Sequence, residues 1–433
     1  MLRFDSSQST ISPSLVQSSQ SSLDPYLQDL SDAAKSHEYT KGYGSVALPD
    51  DEETLRLVQE MGKQLITSEL KYVIDIGIGG SNLGAKAVYD ALLGFKDMLE
   101  PNRYPKMLFA DTNDPEYLQA LVAFLQQNVS KPEQVIINVI SKSGGTTETI
   151  TNAEMVLSAL SGLDIQDRIV ITTEKSSPMG AATDRLKYRF LPHPNVGGRY
   201  SIFSTVGLFP LLCAGIDIVA LRLGAARMRD ECLTNSDRNP ALHSASTLHA
   251  LLERGYVIHD LFFFHSELES LGKWYRQLMG ESLGKEHDLD GKQVFAGMTP
   301  TVSIGSTDLH SMAQLYMGGP RNKVTTFISS SRSASIKTPS NFVFEGLVAH
   351  IENRPVAEIM DAILKGTQIA YTKQQLPHMH IELDAIDEES IGAFMQMKMI
   401  EMMLLAQLIH VDAFDQPHVE LYKTEMKQIL SGK

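Results

Sequence analysis

Cysteine is scarce in this chain, which has two among 433 residues, Cys213 and Cys232. Two thiols give no disulfide framework and no thiol spacing for a metal. Cys213 lies in an apolar run where a buried thiol is the commoner state, and a cytoplasmic location is expected. Basic charge is also short, with 38 Lys and Arg against 52 Asp and Glu and a net charge of -14. That excludes a broad nucleic-acid or anionic-membrane surface, so any anion must be met by a local device. Long unbroken apolar runs are missing as well. The most apolar window, YSIFSTVGLFPLLCAGIDIVALRL, is interrupted by Pro210, Gly215 and Asp217 and reads as a buried core helix with its continuation, not as a membrane span. The opening MLRFDSSQSTISPSLVQSSQSS has no central apolar stretch of the kind a secretion signal needs. Residues 1–30 are therefore expected to be a mobile polar leader.

What is present is an alternation. From about Lys71, short apolar runs (YVIDI, MLFAD, VIINVI, IVITT) alternate with longer helical segments, and a second series runs through YVIHDLFFF, VTTFIS and MHIEL. Continuous apolar strands between helices indicate parallel sheets covered on both faces. Since single cores stop growing at roughly 250–300 residues, two α/β lobes are expected. Their bounds are read as 65–222 for the smaller lobe, and 31–64 with 223–433 for the larger. A long helix from about Ile391 is rich in methionine, and a Met stripe at helical spacing is more often core filler than a binding face. Whether the lobes share a topology is not visible in the sequence.

Two loops at strand ends carry the functional signal. In VISKSGGTTETITNAE, residues 139–154, Ser141, Ser143, Thr146 and Thr147 supply hydroxyl donors. Gly144 and Gly145 let the backbone curl, and Lys142 adds charge. Capping the next helix would need one hydroxyl; four with a glycine pair favour a phosphate cradle. DIGIGGSNLGAKA, residues 75–87, repeats the device with Gly80 and Ser81. Asn82 stands where a dinucleotide fingerprint needs glycine and Ala85 where a P-loop needs lysine, so both nucleotide readings fail.

These loops, with GGRYSIFSTVGLFPLLCAGID, GESLGKE, GSTDLHSMAQLY and FDQPHVELYK in order, resemble the glucose-6-phosphate isomerase family, in its shorter bacterial branch. The likeness runs from about residue 70 to the C-terminus. It departs at Gly145, Thr149, Asp412 and His418, where the family usually has other residues. The resemblance implies two sugar-isomerase (SIS) lobes, each a doubly wound, mostly parallel sheet flanked by helices, with a long C-terminal helix. It implies aldose–ketose isomerisation of glucose 6-phosphate and fructose 6-phosphate through a cis-enediolate, with no redox cofactor. It assigns Glu281 as the carbon base, Gln277 as a substrate contact one turn earlier, and Arg199, after Gly197 and Gly198, as the electrostatic stabiliser. His310 is implied as the ring-opening group reaching the neighbouring subunit of a homodimer, and Lys423 as a lysine near the ring oxygen.

Taken without the resemblance, Glu281 with Lys285 would be a surface i, i+4 pair, and His310 a structural histidine. His378 and His380 share a strand face but lack a third ligand, and the KEHDLD cluster lacks regular acidic spacing; no metal is expected. The alternatives are a dual phosphoglucose/phosphomannose isomerase and a non-catalytic sugar-phosphate sensor. The second needs the loops but not the set Glu281, Arg199, His310 and Lys423.

Overall fold

The computed structural model describes residues 2–36, 38–236 and 238–432. Its strands, numbered in chain order, are β1 (Leu2–Asp5), β2 (Tyr72–Ile76), β3 (Lys106–Ala110), β4 (Val135–Ile140), β5 (Ile169–Thr173), β6 (Arg189–Pro192), β7 (Ile258–Phe263), β8 (Lys285–His287), β9 (Gln293–Ala296), β10 (Thr299–Ile304), β11 (Lys323–Ser330) and β12 (His378–Leu383). One sheet is wholly parallel in the order β3-β2-β4-β5-β6. The other runs β1-β12-β11-β7-β10, parallel except for β1, and β8 with β9 forms a separate hairpin.

Both faces of both sheets are covered, which is why the strands read as continuous apolar runs. Successive side chains point to opposite faces. Val73, Ile136 and Val170 therefore enter a large core, while Ile74, Ile137 and Ile171 pack in a cluster private to the first lobe. Leu261, Phe263 and Ile328 enter the same large core from the second sheet, and Phe262, Phe264 and Phe327 pack on its far side. The two lobes thus share one continuous apolar centre.

The two sheets are wound alike. From β2 the chain steps outward to β3, then crosses back over β2 to β4 and continues to β5. From β7 it steps outward to β10, then crosses back over β7 to β11 and continues to β12. The direction of winding therefore reverses between β2 and β4 in one lobe and between β7 and β11 in the other. Ligands in open α/β sheets bind beyond the carboxyl ends of the strands at such reversals.

The helix Glu388–Leu408 runs through the shared core, and every residue from Ser390 to Ala406 is buried. Met395, Met397, Met399, Met402 and Met403 are core filler, as read from sequence. Gly224 and Gly392 let this helix cross Ile218–Cys232 at backbone contact; a Cβ on Gly392 would lie 2.1 Å from the Leu221 carbonyl oxygen. Its buried charges are satisfied. Lys398 Nζ lies 2.7 Å from Glu401 Oε2, Glu401 Oε1 accepts from the Tyr275 hydroxyl at 3.0 Å, and His259 joins Tyr275 to Thr326. Tyr275 belongs to the helix Glu269–Leu283, so the network pins that helix to the second sheet.

Two expectations need correction. Residues 1–30 are expected as a mobile polar leader, and of these the described residues 2–30 are built into the second lobe. β1 pairs antiparallel with β12, setting Leu2 opposite Leu383 and Phe4 opposite Ile381. Val16, Leu23, Leu27 and Leu30 are buried, a sparse apolar stripe diluted in the sequence by serine and glutamine. Second, the helix Glu52–Leu65, expected largely with the larger lobe, packs on Thr205–Cys213 of the smaller one. The long helix is followed by the helix Val419–Leu430, which carries Lys423 and contains no buried residue.

Asp75, in the centre of β2, accepts a 2.8 Å hydrogen bond from Asn138 Nδ2, and burial pushes its pKa up from 3.8 to about 8. The folded protein therefore holds a proton that the unfolded chain releases. Stability from this group is fully present below about pH 4 and is lost as pH rises towards about 8. Asp75→Asn is expected to flatten that dependence and to raise stability at pH 8, measured by urea unfolding of both proteins at pH 5 and pH 8.

Candidate active site

The first reversal point is built by glycine. Beyond β2, Gly79 has φ 60°, a left-handed conformation open to glycine, and brings the loop against the helix Glu269–Leu283. A Cβ on Gly79 would lie 2.9 Å from Gln277 Nε2, and one on Gly80 would lie 2.1 Å from the Gly198 carbonyl carbon. Two backbones touch there, and their contact fixes the turn Gly198–Tyr200 that carries Arg199.

The Arg199 side chain is 1% exposed. Its Nε donates to Ser282 Oγ at 3.0 Å, and Nη1 donates to Glu281 Oε2 at 3.0 Å and to Gln416 Oε1. Nη2 donates to the carbonyls of Ala413, Asp415 and Glu281. The charge is thus fully engaged, which a buried guanidinium requires.

Glu281 sits in the last turn of its helix, where Oε1 accepts from Gln277 Nε2 at 3.0 Å. Its side chain keeps 27% exposure. The i, i+4 surface pair does not form. Lys285 Nζ donates instead to the Glu281 backbone carbonyl at 2.7 Å and to Asp415 Oδ1 at 2.8 Å. Burial lowers the Lys285 pKa, with the Asp415 carboxylate opposing. Lys285 ties the end of the helix to the segment 413–416 and leaves the Glu281 carboxylate to Gln277 and Arg199.

The second loop follows β4, which neighbours β2 in the sheet. Ser141 Oγ lies 3.0 Å from Thr146 Oγ1 and accepts from the Gly144 amide at 3.1 Å. The helix Thr147–Ala159 follows with no side-chain cap from Thr146, so the simple capping account fails here. Ser143, Thr147 and Ser81 carry hydroxyls without a partner among the described residues. Lys142 Nζ donates to the Val196 carbonyl at 3.2 Å, joining this loop to the segment that leads into Gly198 and Arg199.

Two sequence candidates stand apart. His310 is exposed beyond β10, and its ring has no hydrogen-bond partner among the described residues, Glu281 and Arg199 included. Lys423, on the helix Val419–Leu430, donates to Glu420 Oε1 at 2.7 Å and forms no hydrogen bond or ion pair with Glu281. Gln416 was not among the sequence candidates. A glutamine between Asp415 and Pro417 has no chemical signature of its own, and only its bond to Arg199 marks it.

Residues 56–432 match the family described as phosphoglucose isomerase. The chain belongs to the phosphoglucose isomerase family. A glucose-6-phosphate isomerase of Carboxydothermus hydrogenoformans is 32% identical over 379 residues, 85% of this chain and 80% of that one. One from Rubrobacter xylanophilus is 32% identical over 88% of this chain and 87% of its own. Among solved structures, a protein of Thermus thermophilus described as hypothetical superposes with TM-score 0.84 at 27% identity, covering 99% of this chain and 100% of that one. A glucose-6-phosphate isomerase of Chlamydia trachomatis shares the fold, with TM-score 0.81 at 21% identity over 99% and 88% of the two chains. The two α/β lobes expected from sequence, each built on a mostly parallel sheet flanked by helices, are seen here.

The backbone contact at Gly80 sets up a direct comparison within this phosphoglucose isomerase family site. Gly80→Ala is expected to destabilise the protein by about 1–3 kcal/mol, because neither backbone can give way cheaply. Gly145→Ala, with nothing within 4 Å of the new methyl, should be neutral. Urea unfolding of the two variants checks both.

Proposed function

We propose that the protein interconverts glucose 6-phosphate and fructose 6-phosphate. The observation that carries this reading is the Glu281 carboxylate, held between Gln277 and the buried Arg199 on a partly exposed side chain beside the glycine turns at Gly79–Gly80 and Gly197–Gly198. The family match and the names of its relatives support the substrate.

In this mechanism the loop after β4 takes the 6-phosphate through Ser141, Ser143, Thr146, Thr147 and nearby backbone amides, with Lys142 close by. Gly80, Ser81 and Gly198 let backbone approach the sugar. After ring opening, Glu281 removes the C2 proton, leaving a cis-enediolate between C1 and C2, and returns that proton to C1. Arg199 faces the developing negative charge and cannot give up a proton, so its contribution is electrostatic. Gln277 orients the base. Ring opening falls to His310 from a second copy of the chain, with Lys423 near the ring oxygen once the helix Val419–Leu430 is seated.

A homodimer fits the surface of the chain. His310 is exposed, and Val343, Phe344 and Leu347, with Leu421, Ile429 and Leu430, present apolar side chains of a kind a second copy would cover.

Glu281→Gln is expected to lower turnover of fructose 6-phosphate by roughly 10²- to 10⁴-fold while leaving binding intact, read in an assay coupled to glucose 6-phosphate formation. Unchanged turnover would remove Glu281 as the base. Mixed dimers of Glu281→Gln with His310→Ala, each inactive alone, should recover activity, because one of the two hybrid sites then combines an intact Glu281 with an intact His310. No recovery would place His310 in the site of its own subunit.

A further inference from the structure

We propose that the second lobe carries its own sugar-phosphate site, at the reversal point between β7 and β11. The phosphate cradle of the first lobe lies at the matching point of a sheet wound in the same way, between β2 and β4. The inference rests on reading that first loop as a phosphate cradle. The residues that follow the matching strands also correspond. β4 is followed at once by Ser141, Lys142 and Ser143; β11 is followed at once by Ser331, Arg332 and Ser333. A cation between two hydroxyls is thus repeated at the equivalent position of each sheet.

The structure has a cavity there. A crevice of about 590 Å³ lies beyond the carboxyl ends of β7, β11 and β12, lined among others by His265, Glu267, Arg332 and Asp384. Arg332 is anchored by a bond from Nη2 to the Phe264 carbonyl. Its Nε is shielded from solvent and makes no hydrogen bond; the Asp361 carboxylate stands 3.5 Å away and is 67% exposed. An exposed carboxylate so placed is readily displaced by a stronger anion. Ser331 and Ser333 are exposed beside it. The first turn of the helix Val356–Lys373, through Val356, Ala357 and Met360, closes the crevice on another side.

The mixed lining selects the ligand class. Arg332 with the two serines suits a phosphate, whereas Glu267 can only accept hydrogen bonds and so suits sugar hydroxyls. His265 is buried, with Nε2 on the Ser330 carbonyl at 3.2 Å and Nδ1 at 3.4 Å from Glu267, and it holds that carboxylate in place. A phosphomonoester of a small polyhydroxylated molecule meets both halves. The crevice is separate from the site at Glu281. The helix Glu269–Leu283 begins beside the crevice and carries Glu281 in its last turn, roughly 18 Å further on at 1.5 Å per residue.

The test uses the full chain and sorbitol 6-phosphate, a hexitol phosphate with no carbonyl to isomerise, in a calorimetric titration. Two molecules bound per chain are expected in the wild type. Arg332→Gln should bind one, with turnover of fructose 6-phosphate within about twofold of wild type, and Ser331→Ala with Ser333→Ala should weaken only the second site, by tenfold or more. One molecule per chain in the wild type, or two retained in Arg332→Gln, would overturn the proposal. Two sites in a protein that shows no turnover would support it while overturning the isomerase reading.

Discussion

A guanidinium cannot shed its charge, and the one at Arg199 is nearly sealed from water. Much of the site follows from satisfying it. Its partners come from the end of the helix Glu269–Leu283 and from residues 413–416, segments more than a hundred residues apart. Its own position is set by Gly80 against Gly198, a contact between loops of the first lobe. One buried charge therefore joins the first sheet, the helix that carries Glu281 and the segment before the last helix. Removing it would leave the Glu281 carboxylate and several carbonyls facing a void, a far larger cost than the loss of a surface ion pair.

Behind the site a second polar network does related work. Tyr275 lies less than two turns before Glu281, and through its hydroxyl it meets Glu401 and His259 in the centre of the core. A hydrophobic core alone would let the helix slide or turn with little penalty. Directional bonds to β7 and to Glu388–Leu408 hold one rotation, and so aim Glu281 and Gln277 at the loops.

The two lobes use one winding for different ends. In the first, short connections follow the reversal-point strands, and Lys142 and Gly80 are drawn toward Arg199. In the second, a long excursion follows Ser331–Ser333 before the next helix begins at Val356. That excursion and the helix Val419–Leu430 expose large apolar side chains, among them Val343, Phe344, Leu347, Leu421 and Ile429.

Much of this was legible in sequence. Strands β2, β4 and β5 were read to the residue, because strands covered on both faces must be apolar throughout and are bounded by glycine and polar turns. The glycine turn after β2 was legible because close backbone approach demands glycine. The buried part of the leader was not, since a few leucines among serines carry little periodic signal until β12 and the helix Pro240–Leu252 are there to receive them. Gln416 was not, because its role exists only beside Arg199. The sequence by itself determined the local chemistry: which residues can bind, bend or take a proton. Only the tertiary structure decided which of them meet, and that the second sheet repeats the winding of the first, because contacts between distant segments are set by packing and by the burial of charge, not by neighbours along the chain.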